Sequence, residues 1–183
     1  MESRPSPLVR SMYSWEIQEV RLVFGNQLKY DRVRIHEFTT WPNTLNRLGT
    51  RLKRMQYVEA PNAITLGNHC IFPIKLLDQL VSADHPEYYK FPWLIHELTH
   101  IWQYQQLGWG YLFMALEAQF RFKAEAYNFG GEQGLLDGIQ RGVRLADFNL
   151  EQQGEITRTY YERLKQGQDI SAWKPFITEI QQV

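Results

Sequence analysis

The sequence contains a single cysteine, Cys70, among its 183 residues. One thiol cannot form an internal disulfide, and it cannot supply the several thiolates of a cysteine-rich structural zinc site. The sequence also lacks an excess of either charge, because 20 Lys and Arg balance 20 Asp and Glu. Nucleic-acid-binding domains normally carry a basic excess. We therefore expect neither a disulfide framework nor a nucleic-acid partner.

Long hydrophobic segments are missing as well. The longest strongly apolar stretch is Tyr111–Leu116, whereas a helix that crosses a bilayer needs about 20 apolar residues. The first seven residues, MESRPSP, lack the apolar region of a signal peptide. The sequence thus predicts no membrane span and no signal peptide. It indicates a soluble protein that does not leave the cytoplasm by the general secretory route.

The chain is long enough for one domain. Its 183 residues, 44% of them hydrophobic, suffice to bury a single core. The Pro-, Ser- and Arg-rich residues 1–12 predict a flexible arm, which leaves residues 13–183 as the domain. Val33–His36 alternates apolar and polar side chains and predicts a strand. Ala63–Pro73 predicts a strand, a turn at Gly67–Asn68 and a second strand.

Helices are expected mainly in the second half of the chain. Pro92 suits the first turn of a helix and Gly108 its end. Asn149 is a good N-cap for a later helix, and Gln152 is placed to complete a capping box. The helix that Asn149 caps is predicted over residues 150–165. The other predicted helical segments are 45–55, 111–127, a short helix at most within 131–147, and a tail at 173–183. Because strands come first and helices later, the pattern indicates an α+β fold.

One motif carries metal chemistry, His96-Glu97-Leu98-Thr99-His100, within the helix that begins near Pro92. Residues four apart share a helical face, so both imidazoles can bind one metal ion. Glu97 can then take a proton from a metal-bound water and pass it to a leaving amine. The motif nominates His96 and His100 as metal ligands and Glu97 as the catalytic base.

The same spacing also arises by chance in helices that bind no metal. Here the neighbours Trp93-Leu94-Ile95 and Ile101-Trp102 indicate a buried helix. A buried helix that carries two histidines and a glutamate without a compensating cation would be costly. We therefore favour a metal site, with Zn²⁺ as the ion, because two imidazoles and a carboxylate suit zinc.

A catalytic zinc site needs a third protein ligand, and no histidine follows His100. A downstream carboxylate is favoured over the upstream histidines His36, His69 and His85. Glu151 is our choice, because it opens the 150–165 helix and Gly154, one turn later, permits close approach. Glu125, whose neighbours on the helical wheel are packing residues, is the alternative. Glu155 is expected to be a solvated surface residue.

The remaining reactive residue types are expected to be structural. His36 and His69 lie in predicted strands, His85 lies in a polar loop, and Cys70 is expected to be a small buried residue. Core packing is also the expected role of three tyrosines, although one of them could serve as a transition-state donor: Tyr127, Tyr160 and Tyr161.

Four segments, in their order along the chain, resemble known metallopeptidases. Val33–His36, Ala63–Phe72 and Leu94–Gln103 are similar to the metallopeptidase core domain linked with bacterial extracellular contractile injection systems and their toxins. The core of this similarity spans residues 28–107. Phe148–Ile156 is similar to the glutamate-bearing helix of gluzincin-type peptidases.

This resemblance implies a zincin-like fold, a bound Zn²⁺ and Glu151 as its third ligand. It implies a protein or peptide substrate and a partner that is a secretion-system or toxin component. It also implies export by a contractile system as an alternative to residence in the cytoplasm.

Two functional hypotheses follow. The leading one is a zinc-dependent metallopeptidase that hydrolyses peptide bonds with a metal-activated water and acts on a secretion-system or toxin-related protein. The alternative is a non-catalytic zincin-fold module associated with assembly or with an effector. The intact Glu97 favours the enzyme, since a purely structural metal site would not need that carboxylate. The lack of a recognisable substrate-binding extension favours the module.

Overall fold

The computed structural model describes residues 6–40, 63–108 and 127–182. In these ranges the chain is a mixed α+β structure with a four-stranded sheet and five α-helices. The strands and helices, in chain order, are β1 (Leu8–Arg10), α1 (Ser14–Phe24), β2 (Arg34–Glu37), β3 (Ile64–Leu66), β4 (His69–Ile71), α2 (Lys90–Leu107), α3 (Gly131–Gln140), α4 (Leu150–Lys165) and α5 (Lys174–Gln181). The zincin-like character of the fold stays a prediction.

The sheet has the strand order β1-β2-β4-β3. β3 and β4 form the predicted hairpin, and its turn includes Gly67, whose φ of +60° lies in the left-handed region that favours glycine. β4 lies parallel to β2, with Cys70 opposite Ile35, and β1 lies antiparallel to β2. The β3–β4 hairpin therefore lies at one end of the strand order, and β3 is an edge strand of the sheet.

The prediction that residues 1–12 form a flexible arm is wrong for Leu8–Arg10, which pair with β2. The guanidinium of Arg10 contacts the carboxylates of Glu16 at 2.8 Å and Glu37 at 3.0 Å. The carboxylate side chains are only 1% and 2% exposed, so the ion pairs are strengthened by their burial. They bind β1 to α1 and β2, which a Pro- and Ser-rich composition does not reveal.

α2 is the central helix. It begins at Lys90, which places Pro92 in its first turn, and it ends before Gly108, whose φ is +64°. Both boundary predictions are confirmed. Every residue from Leu94 to Gln103 is buried, because the helix packs against α4 and against β3 and β4. The motif thus lies inside the domain.

α4 has the predicted bounds and the predicted cap. The side chain of Asn149 accepts a hydrogen bond from the backbone N–H of Gln152, and the side chain of Gln152 accepts one from the backbone N–H of Asn149. A buried hydroxyl pair, Thr99 and Thr157 with oxygens 2.6 Å apart, joins α4 to α2. The capping box fixes where α4 begins, and therefore where its first-turn side chains lie.

Two other helical predictions can be compared with the structure. The segment 131–147 contains a ten-residue helix, α3, and the tail is helical as α5. The predicted helices at 45–55 and 111–127 lie outside the described residues, apart from Tyr127. None of the helices in the described ranges is both long and apolar enough to cross a bilayer.

Candidate metal centre

α2 directs both motif imidazoles to one point. The Nε2 atoms of His96 and His100 are 3.2 Å apart, and each residue is 7% exposed. The spacing of four residues accounts for this convergence, because it returns the second side chain to the face of the first. The two predicted histidine ligands therefore face each other in a buried position.

α4 adds a carboxylate to the same point. Oε2 of Glu151 lies 3.3 Å from Nε2 of His96 and 3.5 Å from Nε2 of His100. Within the described part of the chain, these three residues form a group whose ligand atoms all lie within 4.8 Å of one another. The structure brings together the three residues that were nominated as ligands. Glu125, the alternative, lies outside the described residues.

The outer nitrogens of both rings face acceptors. Nδ1 of His100 lies 2.8 Å from Oε1 of Gln103, and Nδ1 of His96 lies 3.0 Å from Oε1 of Glu155. The hydrogen bond at His100 places the proton of its neutral ring on Nδ1 and the lone pair on Nε2, whereas the contact at His96 lacks hydrogen-bond geometry. Two Nε2 atoms and a carboxylate oxygen then bring lone pairs to one point. This donor set fits a zinc ion.

The charged groups of the cluster shift one another's pKa values. Burial alone would lower the pKa of His96, but Glu151 and Glu155 beside it raise that pKa to about 10. The pKa of His100 is raised as well, because the contact with Glu151 outweighs burial. Burial opposes ionisation of Glu151, yet the two histidines hold the pKa of its carboxyl well below the usual range. These directions favour a protonated imidazole beside an ionised carboxylate within the cluster.

The expectation for Glu155 was wrong. Its carboxylate contacts His96 and Nη1 of Arg158 at 3.3 Å, and its side chain is only 20% exposed. The reason is the residue before it. Gly154 carries no side chain, so the ring of His96 lies directly over the backbone of α4 and reaches the neighbouring carboxylate. Glu155 therefore lies beside the outer nitrogen of His96 instead of facing solvent.

The close approach at Gly154 was predicted and is confirmed. A Cβ atom built on Gly154 would lie 2.7 Å from Cε1 and 2.9 Å from Nδ1 of His96. Real Cβ atoms do not come so close, so any larger residue must displace the ring or the helix. Gly154 is therefore a requirement of the site geometry.

Replacing Gly154 by alanine is expected to destabilise the protein by about 1–3 kcal/mol and to lower zinc affinity at least about tenfold by moving a ligand ring. Urea unfolding and a zinc titration against a chelator measure the two effects. Gly138→Ala is the matched control, because its Cβ would meet Val143 at an ordinary 3.5 Å. That control should leave zinc affinity unchanged and gain up to about 1 kcal/mol from helix propensity. Equal zinc affinities for both variants would contradict the argument.

Glu97 lies beside the cluster and is 6% exposed. The hydroxyl of Thr65, on the edge strand β3, contacts Oε2 of Glu97 at 2.7 Å. Thr65 itself is 7% exposed, so this contact is shielded from water. The strand thus holds one oxygen of the predicted catalytic carboxylate.

A cavity of about 390 Å³ opens at this place, and its lining is mostly polar: Ala63, Trp93, His96, Glu97, Tyr127, Glu155 and Arg158. Tyr127 is 43% exposed, and its ring centroid is 6.2 Å from that of His96. Burial and the nearby carboxylates, Glu151 first, raise the pKa of its phenol, so the hydroxyl stays protonated at neutral pH. Core packing was the wrong expectation for Tyr127.

The other candidate residues lie apart from this cluster. Nε2 of His36 and Nδ1 of His69 hydrogen-bond to each other at 2.8 Å across β2 and β4. His85 is exposed, and its Nδ1 accepts the backbone N–H of Glu87. Tyr160, Tyr161 and Cys70 are buried, as predicted: 8%, 0% and 0% exposed. Burial also raises the pKa of the Cys70 thiol.

Four residues around the site were missed from the sequence as functional candidates: Thr65, Gln103, Gln153 and Glu155. Gln103 had a usable signal, because it follows His100 by three positions and so shares its helical face. Gln153 and Thr65 gave none, since their partners lie 50 and 32 residues away in sequence.

Comparison with known proteins gives one informative similarity. No family model matches the chain, and no solved structure matches it significantly. The chain is 27% identical over 154 residues to the type VI secretion system spike protein VgrG2b of Pseudomonas aeruginosa. The alignment covers 83% of this chain but only 13% of that protein. The chain is thus similar to a small part of a bacterial secretion-system protein.

Proposed function

We propose that the chain is a zinc-dependent metallopeptidase that acts on a protein substrate in connection with a bacterial secretion system. The observation that carries this proposal is the convergence of two Nε2 atoms and one carboxylate oxygen, 3.2–3.5 Å apart, beside a cavity that Glu97 lines. His96, His100 and Glu151 would hold the metal. Two imidazoles and one carboxylate leave a fourth position open, as catalytic zinc sites require.

A zinc ion bound at this site would act as a Lewis acid and lower the pKa of a coordinated water to near 7. Glu97 accepts the proton of the attacking water on its carboxylate and later donates it to the nitrogen of the leaving amine. The hydroxyl of Thr65 donates a hydrogen bond to Oε2 of that carboxylate and so helps to fix its orientation. Burial of Glu97 keeps competing water away from the transferred proton.

The cavity indicates how a peptide would be held. Trp93 and Arg158 line its wall together with Tyr127. The protonated phenol of Tyr127 can donate a hydrogen bond to an oxygen that becomes negative during the reaction.

The link with secretion rests on the spike-protein similarity. The aligned region of this chain, 83% of its length, includes most of the residues that build the site. We propose that a secretion apparatus delivers the peptidase to its substrate. The competing function is a non-catalytic zincin-fold module associated with assembly or with an effector, and it predicts no hydrolysis whether or not zinc is bound.

Removal and return of zinc tests the proposal. Protein purified without a histidine tag should contain about one equivalent of zinc, as measured by inductively coupled plasma mass spectrometry. Dialysis against a chelator should abolish cleavage of a mixed peptide library, and one equivalent of zinc should restore it, because the metal supplies the activated water. Zinc binding without cleavage of any peptide would favour the non-catalytic module, and an absence of zinc binding would reject the peptidase.

A further inference from the structure

Two buried glutamines form a chain of hydrogen bonds behind His100. Gln103 is 1% exposed and Gln153 is 7% exposed. Oε1 of Gln103 faces Nδ1 of His100 at 2.8 Å, and Nε2 of Gln103 donates to Oε1 of Gln153 at 3.0 Å. Nε2 of Gln153 in turn donates to the backbone carbonyl of Phe148 at 2.9 Å. The chain of bonds thus runs from a ligand ring to the backbone that precedes α4.

The backbone fixes the direction of this chain. A carbonyl oxygen only accepts hydrogen bonds, so the amide nitrogen of Gln153 must face Phe148 and its oxygen must face Gln103. Gln103 then turns its own nitrogen toward that oxygen. A second backbone carbonyl, that of Leu150, accepts from the same nitrogen at 3.0 Å. The remaining oxygen of Gln103 faces His100, whose Nδ1 must therefore be the donor.

This orientation has a consequence for metal binding. With its proton held on Nδ1, the neutral ring of His100 presents the lone pair of Nε2 toward His96 and Glu151. Gln103 also contacts the carbonyl of Leu150, the residue directly before Glu151. One side chain therefore sets the ring state of one ligand and the position of the helical turn that carries another.

We propose that Gln103 and Gln153 are positioning residues that hold His100 in its metal-binding tautomer and register α4 against α2. The inference rests on the proposed metal site. His96 differs, because its outer nitrogen lies 3.0 Å from the charged and partly exposed Glu155 without forming a hydrogen bond. The glutamine pair supplies its support without adding a charge to the buried interface.

The test compares two replacements of Gln103. Gln103→Met keeps the approximate volume but removes the acceptor, and zinc affinity should fall about 10- to 100-fold. Gln103→Glu keeps an acceptor for Nδ1, so its affinity should exceed that of the methionine variant at least tenfold. Gln105→Met is the matched control. Gln105 is also on α2, but it hydrogen-bonds to Asn68 and Lys29, away from the cluster. The zinc affinity of this variant should equal that of the parent.

A spectroscopic measurement separates positioning from simple packing. In the zinc-loaded parent and in Gln103→Glu, the Nδ1–H proton of His100 should exchange slowly with water and be visible by ¹⁵N-edited NMR. In Gln103→Met it should exchange rapidly. If that variant is unfolded by circular dichroism, Gln153→Met is used instead, and it should lower affinity several-fold because only the carbonyl of Leu150 then fixes the amide of Gln103.

The outcomes distinguish this inference from the proposed function. A parent protein that binds no zinc overturns the metal site itself. The positioning role alone is overturned by a different result. In that result the parent binds zinc, Gln103→Met and Gln153→Met bind it within twofold of the parent, and the Nδ1–H of His100 still exchanges slowly in both variants. Equal losses in the methionine and glutamate variants would overturn the tautomer role, since the acceptor for Nδ1 would then have no effect, and would assign the loss to the missing donor toward Leu150 and Gln153.

Discussion

Glu97→Gln is expected to abolish peptide hydrolysis while zinc stays bound and the fold stays intact. The amide has nearly the shape of the carboxylate and can still accept a hydrogen bond from Thr65. It cannot accept the proton of the attacking water, and loss of general base catalysis costs about 10²–10⁴ in rate. Cleavage of the peptide library by the zinc-loaded variant, followed by mass spectrometry, measures the effect.

Glu87→Gln is the control for this experiment. Glu87 is an exposed carboxylate three residues before α2, and it pairs with Lys90. Its replacement changes the same charge near the same helix, so the rate should stay that of the parent. A Glu97→Gln variant that cleaves a confirmed substrate as fast as the parent would refute Glu97 as the base and the peptidase mechanism with it.

Glu151→Ala is expected to lower zinc affinity by about a hundredfold or more. The free energy of a structural zinc site with four ligands is about 10–16 kcal/mol, so each ligand accounts for several kcal/mol. The helical core should persist, because Asn149 and Gln152 still cap α4. His96→Ala and His100→Ala should each also abolish stoichiometric binding. A chelator-competition titration, with circular dichroism to verify folding, measures these effects.

Glu125→Ala is the comparison that tests the choice of ligand. From its neighbours on the helical wheel, this variant should alter stability and retain zinc. Glu155→Gln should have an intermediate effect of about tenfold, because the outer nitrogen of His96 keeps an acceptor but loses a charge. If Glu125→Ala loses zinc while Glu151→Ala keeps it, the carboxylate ligand lies before α3 and the assignment of Glu151 is wrong.

The error at Glu155 shows where helical periodicity stops being informative. A wheel places Glu155 off the apolar stripe of α4, and this position on an isolated helix would be solvated. In the folded chain the ring of His96 crosses α4 at Gly154 and meets the next side chain. Sequence spacing describes one helix at a time, whereas this contact depends on how closely two helices pack.

The N-terminal strand gives a second example. Arg10 was assigned to a flexible arm because its neighbours are prolines, serines and arginines. Its two carboxylate partners lie 6 and 27 residues away. The composition of a segment does not show whether one of its residues forms buried ion pairs. Here such ion pairs stabilise the pairing of Leu8–Arg10 with β2.

The sequence by itself determined the features that depend on neighbours along the chain. The placing of His96 and His100 on one face, the capping box of Asn149 and the glycine turn of the hairpin follow from local backbone geometry. Only the tertiary structure decided which distant groups meet. Gln103 reaches Gln153 across 50 residues of chain and Thr65 reaches Glu97 across 32, because side-chain packing between separate elements sets those contacts and no local rule specifies them.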